Sequence, residues 1–167
     1  MALRPFPLLP ALAVLGTLQS GAAAGGEARG VAIIDFTYSD SSGEPRDQTA
    51  EHQARLKAFM AALATDLASG GRLRVVMPDC DPAPCTLTAG AVPELAEAAK
   101  QAGADLLVVG GIHKMSTLVQ MAKVEVVAVN AGRVVFQKLY TFRGDNDEAW
   151  RRAESFIAGQ ILTVPQD

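Results

Sequence analysis

Three side chains in "GGIHKMSTLVQ" (110–120) have types that could do chemistry together: His113, Lys114 and Ser116. A serine beside a lysine can serve as nucleophile and base, and a histidine can move a proton near neutral pH or ligate a metal. Along an extended chain, residues two apart share a face. Lys114 is therefore expected to pair with Ser116, and His113 to share a face with Met115. Spacing alone is thin support for catalysis, because a turn serine beside a surface lysine gives the same pattern. The other histidine, His52, is far away in sequence and falls four residues before Leu56. Two isolated histidines make a poor metal site, so each reads as a hydrogen-bonded, partly buried side chain.

The densest polar cluster is "RGDNDEAW" (143–150), which adds Arg143 and Asp145 as candidate binding residues. Asp145 is expected to cap the following helix, with Glu148 three residues on as a capping-box variant. Asp147 and Glu148 then fall in the first turn, where negative charge is favoured. A cation site built from Asp145, Asp147 and Glu148 is the alternative, but the glycine and later glutamate of an EF-hand loop are missing. "DFTYSDSSGEP", after the first strand, has neither phosphate-binding glycine pattern, and no G-x-S-x-G elbow occurs. No catalytic set, cofactor or resident metal is expected.

The chain has 167 residues, enough for one domain with a real core, and a formal net charge of −3. There is no basic excess to neutralise phosphates, so nucleic acid is not an expected partner. The N-terminus carries Arg4, an apolar run from Leu8 to Leu18 interrupted by Pro10, and Ala22-x-Ala24. That is the pattern of a secretory signal peptide over residues 1–24, cleaved near Ala24. The run is too short for a membrane anchor, so no stable membrane insertion is expected after cleavage. Export to the periplasm makes the close pair Cys80 and Cys85 read as a disulfide. Its short loop gives only about 2 kcal/mol of stabilisation, so it would fix a loop rather than hold the fold.

These groups must be positioned by a β-α-β-α-β-β-β-α chain. A linker is expected at 25–30 and a single α/β domain at 31–164. "VAIIDFTY" (31–38) reads as a buried strand. A helix over about 47–69 buries Leu56, Phe59, Met60, Leu63 and Leu67, at steps of three and four. A strand follows at 72–77. Pro93 starts a second helix that ends at Gly103. A central strand at 104–112 and a long strand at 117–130 come next. "NAG" (130–132) makes a hairpin turn to a last strand at 133–142. A final helix over about 146–162 carries Trp150, Ala153, Ile157 and Ile161 on one stripe. Helical crossovers make the first three strands parallel and the short connections make the rest antiparallel, giving a five-stranded mixed sheet packed by helices.

"VAIIDFTYSDSSGE", the Cys pair, "GADLLVVGGIHKMSTL", "AGRVVF" and "FRGDNDEAWRRA" span nearly the whole exported part, in order. On these pieces the chain resembles an uncharacterised bacterial family of small exported proteins, known only as a domain of unknown function. At fold level "VAIIDF", "LLVVGG" and "AGRVVF" are similar to the N-terminal domain of TolB and to the periplasmic domain of the curli channel CsgG. That resemblance implies an interaction module of the cell envelope rather than an enzyme. The expected function is a non-catalytic periplasmic binding or adaptor module with an envelope protein partner. The partner would meet an edge strand or the loops 39–47, 79–90 and 113–117. One alternative is a small periplasmic enzyme or metal handler using the His113, Lys114 and Ser116 corner. Another is a structural subunit of an envelope assembly. The sequence carries no signal for an oligomeric state.

Overall fold

The structure, a computed structural model, describes residues 27–81, 85–87 and 91–165. The signal peptide expected over 1–24 lies outside them, as do parts of the linker and of the 79–90 loop. Its elements are β1 (Arg29–Ile33), β2 (Thr37–Asp40), α1 (Thr49–Ser69), β3 (Leu73–Val76), α2 (Val92–Gln101), β4 (Leu106–Lys114), β5 (Val119–Ala128), β6 (Arg133–Arg143) and α3 (Asp147–Ile161). The sheet has six strands in the order β3-β1-β4-β5-β6, with β2 also on β4. Pairing is parallel among β1, β2, β3 and β4 and antiparallel from β4 to β6. This is the expected mixed α/β sheet, with its first strand divided in two.

The division has a local cause. β1 pairs with Leu106–Val108 and β2 with Gly111–Lys114, both along β4. Between them the Asp35 N–H turns away to the Cys85 carbonyl, 3.0 Å. Phe36 packs into the core over Gly110, where an added Cβ would lie 2.6 Å from both the Phe36 ring and the Lys123 carbonyl. Glycine at 110 therefore makes room for the ring. Gly110→Ala is expected to cost about 1–3 kcal/mol through this overpacking, read as a lower midpoint in urea. Cys80 and Cys85 are bridged, so the Asp35 contact ties the disulfide loop to the break in the strand.

Strand alternation divides β4 between two cores. Leu106, Val108 and Ile112 join Phe59, Leu63, Leu67, Trp150, Ile157 and Ile161 from α1 and α3. The spacing of these helical residues is the one that builds a buried stripe. Leu107 and Val109 join Leu95 and Ala99 of α2 on the other face. α2 is short and reaches only the half of that face near the start of β4. Gly111 and His113 continue the same face beyond it.

Candidate functional site

Lys114 closes β4 on the α1/α3 face, in alternation with Leu106, Val108 and Ile112, and its side chain is 0% exposed. A buried ammonium must be paired and hydrogen-bonded. Its Nζ donates to Asp145 Oδ2 at 2.7 Å, and also to Glu44 Oε2 and Gln48 Oε1. Asp40 Oδ2 is 4.0 Å away. The far side of Asp145 is met by α1: His52 Nε2 lies 2.9 Å from both carboxylate oxygens, and Arg55 Nη1 donates to Oδ1 at 2.9 Å. His52 and Arg55 are three residues apart and so share one face of the helix. Arg55 Nε also donates to Asp147. Tyr38 stacks on the His52 ring with centroids 4.7 Å apart. One buried network thus joins the end of β4, the 41–48 loop, α1 and the β6–α3 junction.

The electrostatics hold both ends of this network charged, as a clamp requires. Burial alone would push Lys114 down, but its hydrogen bonds to Asp145 and Glu44 prevail and hold the ammonium above its usual range. Burial likewise opposes ionisation of Asp145, and the donors Lys114 and His52 overcome it, so this carboxyl sits below its usual range. An ammonium held charged cannot act as a general base. Burial and the neighbouring Asp40 and Asp145 keep Tyr38 protonated far above its ordinary range.

The candidate residues separate accordingly. Lys114 and Asp145 are brought together; Ser116 does not join them. The strand ends at Lys114, so alternation stops applying, and Ser116 Oγ accepts from Val119 N–H at 3.2 Å inside the β4–β5 turn. The expected Lys114–Ser116 pair is therefore not formed. Asp145 does not cap α3. Asn146 does: it is extended, and its side chain accepts from Ala149 N–H at 2.9 Å. Asp145 is drawn inward by three cationic or polar donors instead. Asp147 is held by Arg55, and Glu148 by Arg151 and Arg152, so the alternative cation cluster of Asp145, Asp147 and Glu148 is divided among protein cations. Among the described residues, no group of three or more His, Cys, Asp or Glu side chains could hold a metal ion. Arg143 ends β6 with an exposed side chain, outside the clamp.

His113 lies on the opposite face. Its Nδ1 is 2.8 Å from Ser39 Oγ and its Nε2 is 2.9 Å from Ser41 Oγ. A histidine beside a serine hydroxyl is a nucleophile–base geometry. Here the third group is another hydroxyl, which holds the imidazolium that forms less strongly than a carboxylate would. His113 lines a shallow depression of about 290 Å³ with Ser39, Gly111, Met121, Lys123 and Leu139. Sequence reasoning placed Ser39 and Ser41 in the 39–47 loop but not beside His113, because only the parallel β2–β4 register brings them there. It also missed Glu44, Gln48 and Arg55. A signal for the clamp was present, since the alternation of "LLVVGGIHK" points Lys114 inward.

A family model described as "Protein of unknown function (DUF2380)", named DUF3280, matches residues 29–162. The chain belongs to this family. No curated protein sequence matches it. Among solved structures it is similar to TolB from Acinetobacter baumannii, at 16% identity and a TM-score of 0.52, covering 83% of this chain and 28% of that one. The chain thus spans little more than a quarter of TolB. It is also similar to the PelC dodecamer from Paraburkholderia phytofirmans, at 15% identity and a TM-score of 0.50, covering 82% of this chain and 86% of that one. The fold of this family member is TolB-like.

Proposed function

We propose that this chain is a non-catalytic binding or adaptor module of the cell envelope, working in the periplasm after removal of residues 1–24. The observation that carries the proposal is the half of the sheet beyond α2, where Ser39, His113, Met121, Lys123 and Leu139 surround an open depression. Leu139 is exposed there, as are Met115 and Leu118 at the adjoining turn. Mixed apolar and hydrogen-bonding groups on a face that no described helix covers suit a protein partner. The long strand β6 stands at the sheet edge and offers main-chain groups to the same partner. No helix of the described residues is long and apolar enough to cross a membrane.

Photocrosslinkers placed at Met115 and Leu118 in living cells should capture one envelope protein. Capture should be lost in Leu139→Asp and kept in Phe156→Asp, which alters the other side of the molecule. Capture of the chain alone would favour a structural subunit instead. The enzyme reading now rests on Ser41 and His113. Turnover of an activated ester that Ser41→Ala abolishes would overturn the binding proposal in its favour.

A further inference from the structure

Between α1 and α3 lies a groove of about 600 Å³ that borders the clamp at Arg55 and Asp147 and is separate from the His113 depression. Phe59 and Trp150 line it and are buried, and Ala54, Ala58 and Ala62 supply one short side chain per turn of α1. Those methyl groups leave the space that longer side chains would fill. Two polar atoms beneath this lining, both closed to solvent, have no hydrogen-bond partner among the described residues, namely Trp150 Nε1 and Glu154 Oε1. Glu154 is 1% exposed. Buried polar groups are almost always satisfied, and each exception calls for a cause.

The charges around the groove say what is missing. Arg55 is committed to Asp145 and Asp147, and Arg151 to Glu148. Glu51 is paired with Arg46. Asp66, across on α1, adds negative potential at Glu154, which Arg151 offsets only in part. The groove therefore has an apolar body and one buried carboxyl group with no ion-pair partner among the described residues. We propose that it binds a small organic ammonium compound. The apolar part lies against Ala58, Phe59 and Trp150, and the ammonium pairs with the Glu154 carboxylate.

Burial first, then Asp66, raises the Glu154 carboxyl to about 7, against the opposing pull of Arg151. The ammonium needs the carboxylate form, so affinity should rise between pH 6 and pH 8 as Glu154 ionises. The other charged groups on the groove, Glu51, Arg55, Asp147 and Arg151, are engaged in ion pairs.

Trp150 is the only tryptophan in the chain, so its fluorescence reads this groove directly. The exported chain would be titrated with n-octylammonium, n-octanol and octanoate at pH 6 and pH 8. The expected result is saturable binding of n-octylammonium at pH 8, at least tenfold tighter than n-octanol or octanoate, and weaker at pH 6. Glu154→Gln should remove that tenfold preference and the pH dependence while n-octanol binding persists. Ala58→Leu, at an exposed position, should block all three probes with the circular dichroism spectrum unchanged. Equal affinity for n-octanol and n-octylammonium, an unaltered preference in Glu154→Gln, or no saturable signal from any probe would overturn the proposal.

Discussion

Lys114→Met is expected to lose about 3 kcal/mol of folding stability, the lower end of the range for removing one partner of a buried ion pair. Methionine keeps the apolar stem, so the loss comes from charge rather than from a cavity. Glu44 and Asp145 would be left facing each other without the ammonium between them. Asp145 keeps Arg55 and His52, and Glu44 is 23% exposed and can turn to water, which holds the cost at the lower end. Urea denaturation at pH 7 measures it. The double variant Lys114→Met with Asp145→Asn should lose less than the sum of the two single changes, because the sites are coupled.

The pH dependence carries the same signature. Asp145 is depressed when folded, so its contribution is full above the usual value of 3.8 and fades as pH falls through the folded value. Lys114 is raised when folded, so its contribution is full below the usual value of 10.5 and is lost as pH climbs through the folded value. Lys114→Met should flatten both limbs, the alkaline one because Lys114 is gone and the acid one because Asp145 is then less depressed. A variant with wild-type stability and an unchanged profile would show that the clamp contributes nothing net.

Glu154→Gln is expected to do the opposite and stabilise the protein at neutral and alkaline pH. The Glu154 carboxyl is raised from 4.5 to about 7 in the folded state, first by burial and then by Asp66. Between those values the folded protein holds a proton that the unfolded chain has released. Stability therefore falls as pH rises from about 4.5 to about 7 and stays reduced above it. A shift of that size corresponds to about 3 kcal/mol, since each pKa unit is worth about 1.4 kcal/mol. Glutamine carries the same shape without the charge. It should match the wild type near pH 4.5 and exceed it by up to about 3 kcal/mol at pH 8. Urea midpoints at pH 4.5, 6 and 8 test this, and parallel profiles for the two proteins would refute it.

Much of the architecture is local in origin, and so it was legible. Apolar steps of three and four residues placed α1 and α3, and Phe59, Leu63, Leu67, Trp150, Ile157 and Ile161 are buried as that period requires. Connection length separated the parallel from the antiparallel half. The spacing of Cys80 and Cys85 announced their bridge. The break between β1 and β2 was not legible, because nothing in residues 31–38 demands it. It arises where Phe36 meets Gly110 and Asp35 meets Cys85, contacts between segments distant in sequence.

The candidate site follows the same division. Asp and Asn are equally good at a helix N-cap, so the sequence by itself determined only that a cap stood near 145–146. The tertiary structure decided between them, because the Lys114 ammonium inside the protein needs a carboxylate and an amide cannot supply the charge. Alternation along β4 determined that His113 and Lys114 point to opposite faces. Which face the described helices cover was decided only when α1 and α3 packed together on one side and the short α2 took only half of the other. Residue types and periods act within a few residues, whereas pairing of buried charges and the cover over a sheet depend on segments that only the folded chain brings together.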